Sequence, residues 1–362
     1  MRSTTTALPA LLSDTRALLA AARADPGAVA TRLATQWLWL LPGLRQRVGR
    51  GHGPRTWLED ARHASLVRPL HICLLEHPRA RATFGRLMAA WINERSGLCT
   101  AAVNEGLERA DVVWTFTQDP LSPATRRALG NAIARAPADA VVLNHPDRYD
   151  AYHEAGTFER LAAAGVGVPR SSFTAADVGR TEVVYKRLDQ QHSEKHRAVY
   201  GGPLPGYRAF EFVDALDPDG LRRRYRSYLL AGHVRPSKVQ LSPHWNVCLE
   251  HAVRTEETFT ASDTEVRQIR KIAATLGLDY FAVDYLRRPA DAQPVFVDIN
   301  VYPRIFETAA TNRGIGRHGL WHSFDTRAGL GLPEPDGVAL AERFDAAMAS
   351  FVSRKGRRAG DG

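Results

Sequence analysis

The stretch Tyr280-Phe-Ala-Val-Asp284-Tyr-Leu-Arg-Arg-Pro-Ala-Asp-Ala-Gln-Pro-Val-Phe-Val-Asp298-Ile-Asn300-Val-Tyr-Pro303 carries three oxygen-donor side chains at spacings a β-hairpin would bring together. With the turn near Ala290 to Ala292, Asp284 falls roughly opposite Asp298 on one face. The two-residue period of a strand sets Asn300 beside Asp298. Two carboxylates facing each other among apolar neighbours repel and call for a cation. Oxygen donors without histidine or cysteine suit a hard ion such as magnesium, ordinarily completed by nucleotide phosphates. The competing reading leaves both as strand-end carboxylates paired with nearby arginines.

A second signal is the scarcity of lysine. Of 48 basic residues only Lys186, Lys195, Lys238, Lys271 and Lys355 are lysines, so each one merits inspection. Lys186 ends the strand-like Glu182-Val-Val-Tyr-Lys186, on the same face as Val184 and opposite to Val183 and Tyr185, where a lysine can hold a phosphate as a point charge. Glu211-Phe212-Val213, 25 residues after Lys186, reads as an edge strand whose backbone can meet a purine while Phe212 or a neighbour packs on the ring.

The elements that must position these groups follow from pattern and punctuation. Residues 1 to about 65 read as helices broken by Pro9, Pro26 and Pro42. His71–Leu75 and Asp111–Phe116 read as short buried strands around a helical stretch, Arg81 to Arg95, and Pro123 to Arg135 reads as a further helix. Ala140–Asn144 is a strand running into a turn at His145-Pro146. Tyr152 to Ala164 is helical and stops at Gly165-Val-Gly-Val-Pro169. Arg208–Val213 and Tyr225–Leu230 are strand-like, and Asp263 to Leu276 is an amphipathic helix ahead of the hairpin.

In this order the segments resemble the ATP-grasp superfamily of carboxylate-activating ligases over about residues 140 to 305. The resemblance lies in Val142–Pro146, Leu161–Arg170, Val184–Lys186, Glu211–Val213, Tyr225–Val234, His244–Asn246, Leu276–Tyr280 and the Asp284, Asp298, Asn300 set. It implies an α/β (α+β) fold: an ATP-grasp-like two-lobe nucleotide-binding unit, preceded by a helical segment and a small α/β lobe. It further implies ATP and Mg2+, with Lys186 on the phosphates, Glu211, Phe212 and Val213 lining the adenine hinge, Asp284, Asp298 and Asn300 holding the metal, and Arg226 stabilising an acyl phosphate. The activity implied is ATP-dependent ligation, in which a substrate carboxylate becomes an acyl phosphate and an amine displaces the phosphate to form an amide or peptide bond. The alternative is a nucleotide- or peptide-binding module of this fold without ligase activity.

The chain departs from the family at four places. The usual second phosphate lysine is absent before Gly165, where Arg148 is the substitute cation. The glycine-rich loop after Lys186 is replaced by Leu188–Arg197. The common metal glutamate is Asp298, and Pro303-Arg304 stands where Pro-Gly is frequent.

Composition sets outer bounds. With 362 residues, 44% hydrophobic and 24% charged, the chain is long enough for two or three compact lobes, and disorder and fibre are excluded. The division expected is 1–66 helical, 67–140 a small α/β lobe, 141–350 the ATP-grasp-like domain and 351–362 a basic tail. Three scattered cysteines and the lack of a secretory or membrane-length apolar segment point to a cytoplasmic protein. The net charge of +9 favours acidic ligands, a small-molecule or peptide carboxylate with an amine acceptor before nucleic acid. The resemblance admits a homodimer. His192 and His196 could present two imidazoles from a helix, but a loop over the nucleotide is the preferred reading. Arg222–Arg226 reads as a solvated helix or turn face leading into the following strand.

Overall fold

The computed structural model describes residues 70–77, 85, 88, 89, 92, 93, 96–187, 194–248, 251–256, 259–303 and 342–353. The expectations for residues 1–66, for His192 and for the tail beyond residue 353 lie outside these.

Three sheets organise the described residues. The first is parallel, with order β2-β1-β3-β4, built from β1 (Leu70–Leu75), β2 (Cys99–Val103), β3 (Val112–Thr115) and β4 (Val141–Leu143). Its near-continuous apolar strands are what burial on both faces requires. Helix α1 (Pro123–Ile133) covers one face through Leu129, which packs with Cys73, Leu75 and Val113. The helical stretch 342–353 covers the other, placing Phe344, Met348 and Phe351 against Ile72, Leu74 and Trp114. Phe351 is therefore core, although the expected tail begins at that residue.

The chain then passes through two short helices, α2 (Pro146–Tyr149) and α3 (Thr157–Ala163). The sequence predicts one helix from Tyr152. Gly156, at φ 77°, starts it five residues later and leaves Tyr152 in the preceding turn. Gly167 follows the helix, and a Cβ there would lie 2.2 Å from the Pro294 carbonyl oxygen, so only glycine allows the backbone contact from Phe296 N to Gly167 O at 2.7 Å.

The second sheet is a small antiparallel one with order β6-β5-β7, formed by β5 (Glu182–Arg187), β6 (Lys195–Val199) and β7 (Tyr207–Glu211). Val183 and Tyr185 turn to its own small core with Tyr200, which leaves Val184 and Lys186 on the opposite face.

The third sheet, order β10-β9-β8-β11-β12, is antiparallel and comprises β8 (Arg222–Leu230), β9 (His233–Ser242), β10 (Arg254–Glu256), β11 (Tyr280–Arg287) and β12 (Pro294–Asn300). Arg222–Arg226 is thus the first half of a strand, and the helix-or-turn expectation for it is corrected. Alternation explains the result. Tyr225, Leu229, Val239, Leu241, Phe281, Val283 and Tyr285 form an apolar face against Ile269, Ile272 and Leu276 of α4 (Asp263–Leu276), so Arg224 and Arg226 point the other way. Helix α4 has the predicted bounds, with a Ser262/Glu265 capping box and Gly277 in the left-handed region at its end. Asn144 ties the first sheet to the third. Its side chain donates to Tyr280 O at 2.5 Å and accepts from the amides of Asp279 and Tyr280 at 2.9 Å each.

Candidate active site

A cleft lies between the small sheet and the polar face of the five-stranded sheet. One part of its wall is apolar, from Pro169, Val184, Phe210, Phe212, Trp245, Val247, Leu286 and Val297. The other part carries Lys186, Lys195, Arg224 and Asp298.

The hairpin has the register its sequence implies. Asp284 is the cross-strand partner of Asp298 on β12 and of Arg226 on β8, and Arg226 is in turn the partner of Lys238 on β9. Two irregularities flank these residues. One between Asp284 and Tyr285 passes over Val297, which lies in the cleft wall, and one between Arg226 and Ser227 passes over Ser237, so that Arg226 pairs with Lys238 and Ser227 with Pro236. Bulges of this kind re-aim side chains beside functional sites.

The two carboxylates have different surroundings. Asp284, 7% exposed, has Arg224 Nη1 at 3.4 Å from Oδ2 and Arg226 Nε at 3.7 Å from Oδ1. Its Oδ1 is buried without a hydrogen-bond partner, a condition few native buried groups show. Asp298 receives Lys186 Nζ at 2.7 Å and the Tyr152 hydroxyl at 2.8 Å on Oδ1, and Lys195 Nζ at 3.4 Å on Oδ2. Lys186 also donates to the Tyr152 hydroxyl, and its ammonium lies 4.7 Å from the centre of the Tyr152 ring.

Burial pushes the Lys186 ammonium down to about 8, with Lys195 adding to the shift and Asp298 opposing it. Burial also works against a charged Asp298. The two lysines and the hydrogen bonds from Lys186 and Tyr152 outweigh it, holding that carboxyl far below the usual carboxylate range. The Tyr152 phenol is pushed well above its ordinary value, first by burial and then by Asp298.

Other expected residues fall as follows. Asn300 lies two residues beyond Asp298 on β12, and its Oδ1 accepts the Tyr302 amide at 2.8 Å. Glu211, Phe212 and Val213 line the cleft, with the amides of Glu211 and Phe212 already bonded to Arg170 O and Glu182 O at 2.8 and 2.9 Å. Arg148 is not on the cleft wall. Its side chain lies along Gly277 at the end of α4. His196 is on strand β6 and stacks on Tyr185 at 5.3 Å, which corrects both the loop and the helical two-histidine readings of that residue. The side chains reached only through the structure are Tyr152, Lys195 and Arg224. Lysine scarcity was the one signal for Lys195, and the alternation of Arg222, Arg224 and Arg226 was the signal for Arg224.

Among the described residues no three His, Cys, Asp or Glu side chains gather as for a metal ion. The oxygen set of Asp284, Asp298 and Asn300 still fits a hard divalent cation, because Asp284 Oδ1 is an acceptor with no donor. All three cysteines are free, and burial pushes the thiols of Cys73 and Cys99 up to about 11 and about 12. Among the described residues no helix is long and apolar enough to cross a membrane.

Neither a protein-family profile nor a curated protein sequence matches the chain. Solved structures similar to it include the ATP-grasp ligase PsnB complexed with minimal precursor, Mg and ADP, at 16% identity and a TM-score of 0.47, over 77% of this chain and 98% of that one. Others are the macrocyclase MdnC bound with precursor peptide MdnA from Microcystis aeruginosa MRC, at 12% identity and TM-score 0.43 over 70% and 97%, and the VanG D-Ala:D-Ser ligase from Enterococcus faecalis, at 12% and 0.42 over 73% and 99%.

Proposed function

We propose that the chain is an ATP-dependent ligase of the ATP-grasp type, which activates a small-molecule or peptide carboxylate as an acyl phosphate for attack by an amine. The observation that supports it is the division of one cleft into an apolar part and a part carrying Lys186, Lys195, Arg224 and Asp298, with Asp284 facing Asp298 across the hairpin. A flat heteroaromatic base suits the first part and a polyphosphate the second. In this reading Phe212 and Trp245 face the base, and Val213 supplies the backbone donor on that rim. Asp284 and Asp298 would hold magnesium, with Asn300 as third donor. Magnesium, when bound, neutralises β- and γ-phosphate charge. Lys186 binds phosphate oxygens from β5. Arg226, fixed opposite Asp284, faces the charge that develops during phosphoryl transfer.

The test is ADP release with Mg2+ and ATP across a panel of carboxylates, short peptides included, with amines supplied, alongside calorimetry with a non-hydrolysable ATP analogue. Carboxylate- and amine-dependent ADP release is the expected result. Tight nucleotide binding with no release across the panel would favour the binding-module alternative, and no nucleotide binding at all would end the proposal.

A further inference from the structure

We infer that Lys195 is a second phosphate-binding residue, supplied by β6 of the small sheet, so that Lys186 and Lys195 close on a nucleotide polyphosphate as a pair. The inference rests on the nucleotide reading of the cleft and adds to it a cation the sequence resemblance does not provide.

Lys195 is the direct cross-strand partner of Lys186. Partners in register project to the same face, and the next residue, His196, stacks on Tyr185 on the other face, so Lys195 is directed into the cleft by the pleat. Two ammonium groups in register repel each other. The carboxylate that offsets them is Asp298, and it does so unequally, at 2.7 Å from Lys186 but 3.4 Å from Lys195.

Asp298 Oδ1 is engaged by both Lys186 and Tyr152. One carboxylate therefore faces two lysines, and with Arg224 and Glu211 also on the wall the cleft lining holds three cations to two carboxylates. Lys195 has three N–H donors, and the hydrogen bond it makes among the described residues is the long one to Asp298. Its side chain is 23% exposed against 6% for Lys186, so it is the more accessible of the two. Phosphate oxygens entering the cleft offer it shorter, charge-assisted bonds than Asp298 Oδ2 does. Lysine also differs from the arginine used almost everywhere else in this chain: its compact charge on a rotatable stem can follow a phosphate group.

The competing explanation is an ion pair that merely joins the small sheet to β12. Calorimetry on the full chain with a non-hydrolysable ATP analogue, ADP and adenosine, each with Mg2+, separates the two, using Lys195→Gln and Lys195→Arg and a thermal melt to verify folding. For Lys195→Gln we expect affinity for the analogue and ADP to fall about tenfold or more, with adenosine unchanged and Lys195→Arg recovering part of the loss. Equal affinity of Lys195→Gln and the parent for the analogue would overturn the inference, as would an equal loss for adenosine. A parent chain that binds no adenine nucleotide would instead remove the cleft reading on which the inference stands.

Discussion

Asp284 and Asp298 are partners across one hairpin, yet one lies among arginines and the other among lysines and a tyrosine. The arginine contacts of Asp284 are long, 3.4 and 3.7 Å, and leave Oδ1 without a donor. Those of Asp298 include bonds of 2.7 and 2.8 Å and load Oδ1 twice. An arginine cannot shed its charge, whereas a buried lysine can. The Asp284 side of the site therefore has fixed charge and a spare acceptor, and the Asp298 side has adjustable charge and a hydroxyl that locks it. Strand pairing alone brings two aspartates together; their neighbours give them different tasks.

Replacement of each aspartate by Asn should sharpen this contrast. Both Asp284→Asn and Asp298→Asn should lose ATP turnover by about a hundredfold or more, if both belong to the magnesium set. Their stabilities should diverge. Asp284→Asn removes the buried carboxylate that faces two half-buried permanent cations and should cost about 3 kcal/mol. Asp298→Asn should cost about 1.5 kcal/mol, because buried Lys186 can lose its proton and Tyr152 can still donate to the amide oxygen. Urea unfolding of the two variants measures the difference, and equal destabilisation would break the comparison.

A smaller effect is expected from Tyr152→Phe. The ring stays under Lys186 and against Phe158, while the hydroxyl bonded to Asp298 and Lys186 is lost. The cost should be about 1 kcal/mol. KM for ATP should rise more than kcat falls, because Lys186 loses the group that fixes its position. Steady-state kinetics at saturating substrate would show the split, and an unchanged KM would mean that Asp298 alone positions Lys186.

Legibility in the sequence followed the strength of period-two patterning. The hairpin register, the face presented by Lys186 and the bounds of α4 could all be read because apolar residues alternate cleanly with polar ones or keep helical spacing. Strand β9 was missed because Pro236 interrupts His-Val-Arg-Pro-Ser-Lys-Val-Gln-Leu-Ser, and proline usually marks an edge or bulge. The structure satisfies that rule within the strand: Pro236 sits at the irregular register opposite Ser227, outside the Val239–Leu241 stretch that β10 covers. Strand β6 was missed because Lys-His-Arg-Ala-Val has a polar face that is filled by the cleft and not by solvent. Tyr152 could not be reached at all, because its role depends on a turn that joins it to residues 34 and 146 positions away.

The smallest effect is expected away from the cleft, at a third carboxylate that tests whether a depressed pKa marks the site. Asp177 is held at about 2, first by the Thr174 backbone amide and then by Arg170, with the Thr174 and Thr181 hydroxyls adding to the effect. These are local turn contacts next to a short 3-10 segment, with no link to Lys186 or Asp284. Because its folded pKa lies below the ordinary aspartate value of 3.8, the unfolded chain takes up the proton first as pH falls. The stabilisation is thus complete above that value and is lost as pH drops through about 2. Asp177→Asn should lower the urea midpoint slightly at neutral pH, and the gap from the parent should narrow only over this acid window. Nucleotide affinity should stay the same. A loss of affinity in Asp177→Asn would mean that the small sheet transmits turn geometry to the cleft, and that the contrast between the two aspartates extends beyond their immediate partners.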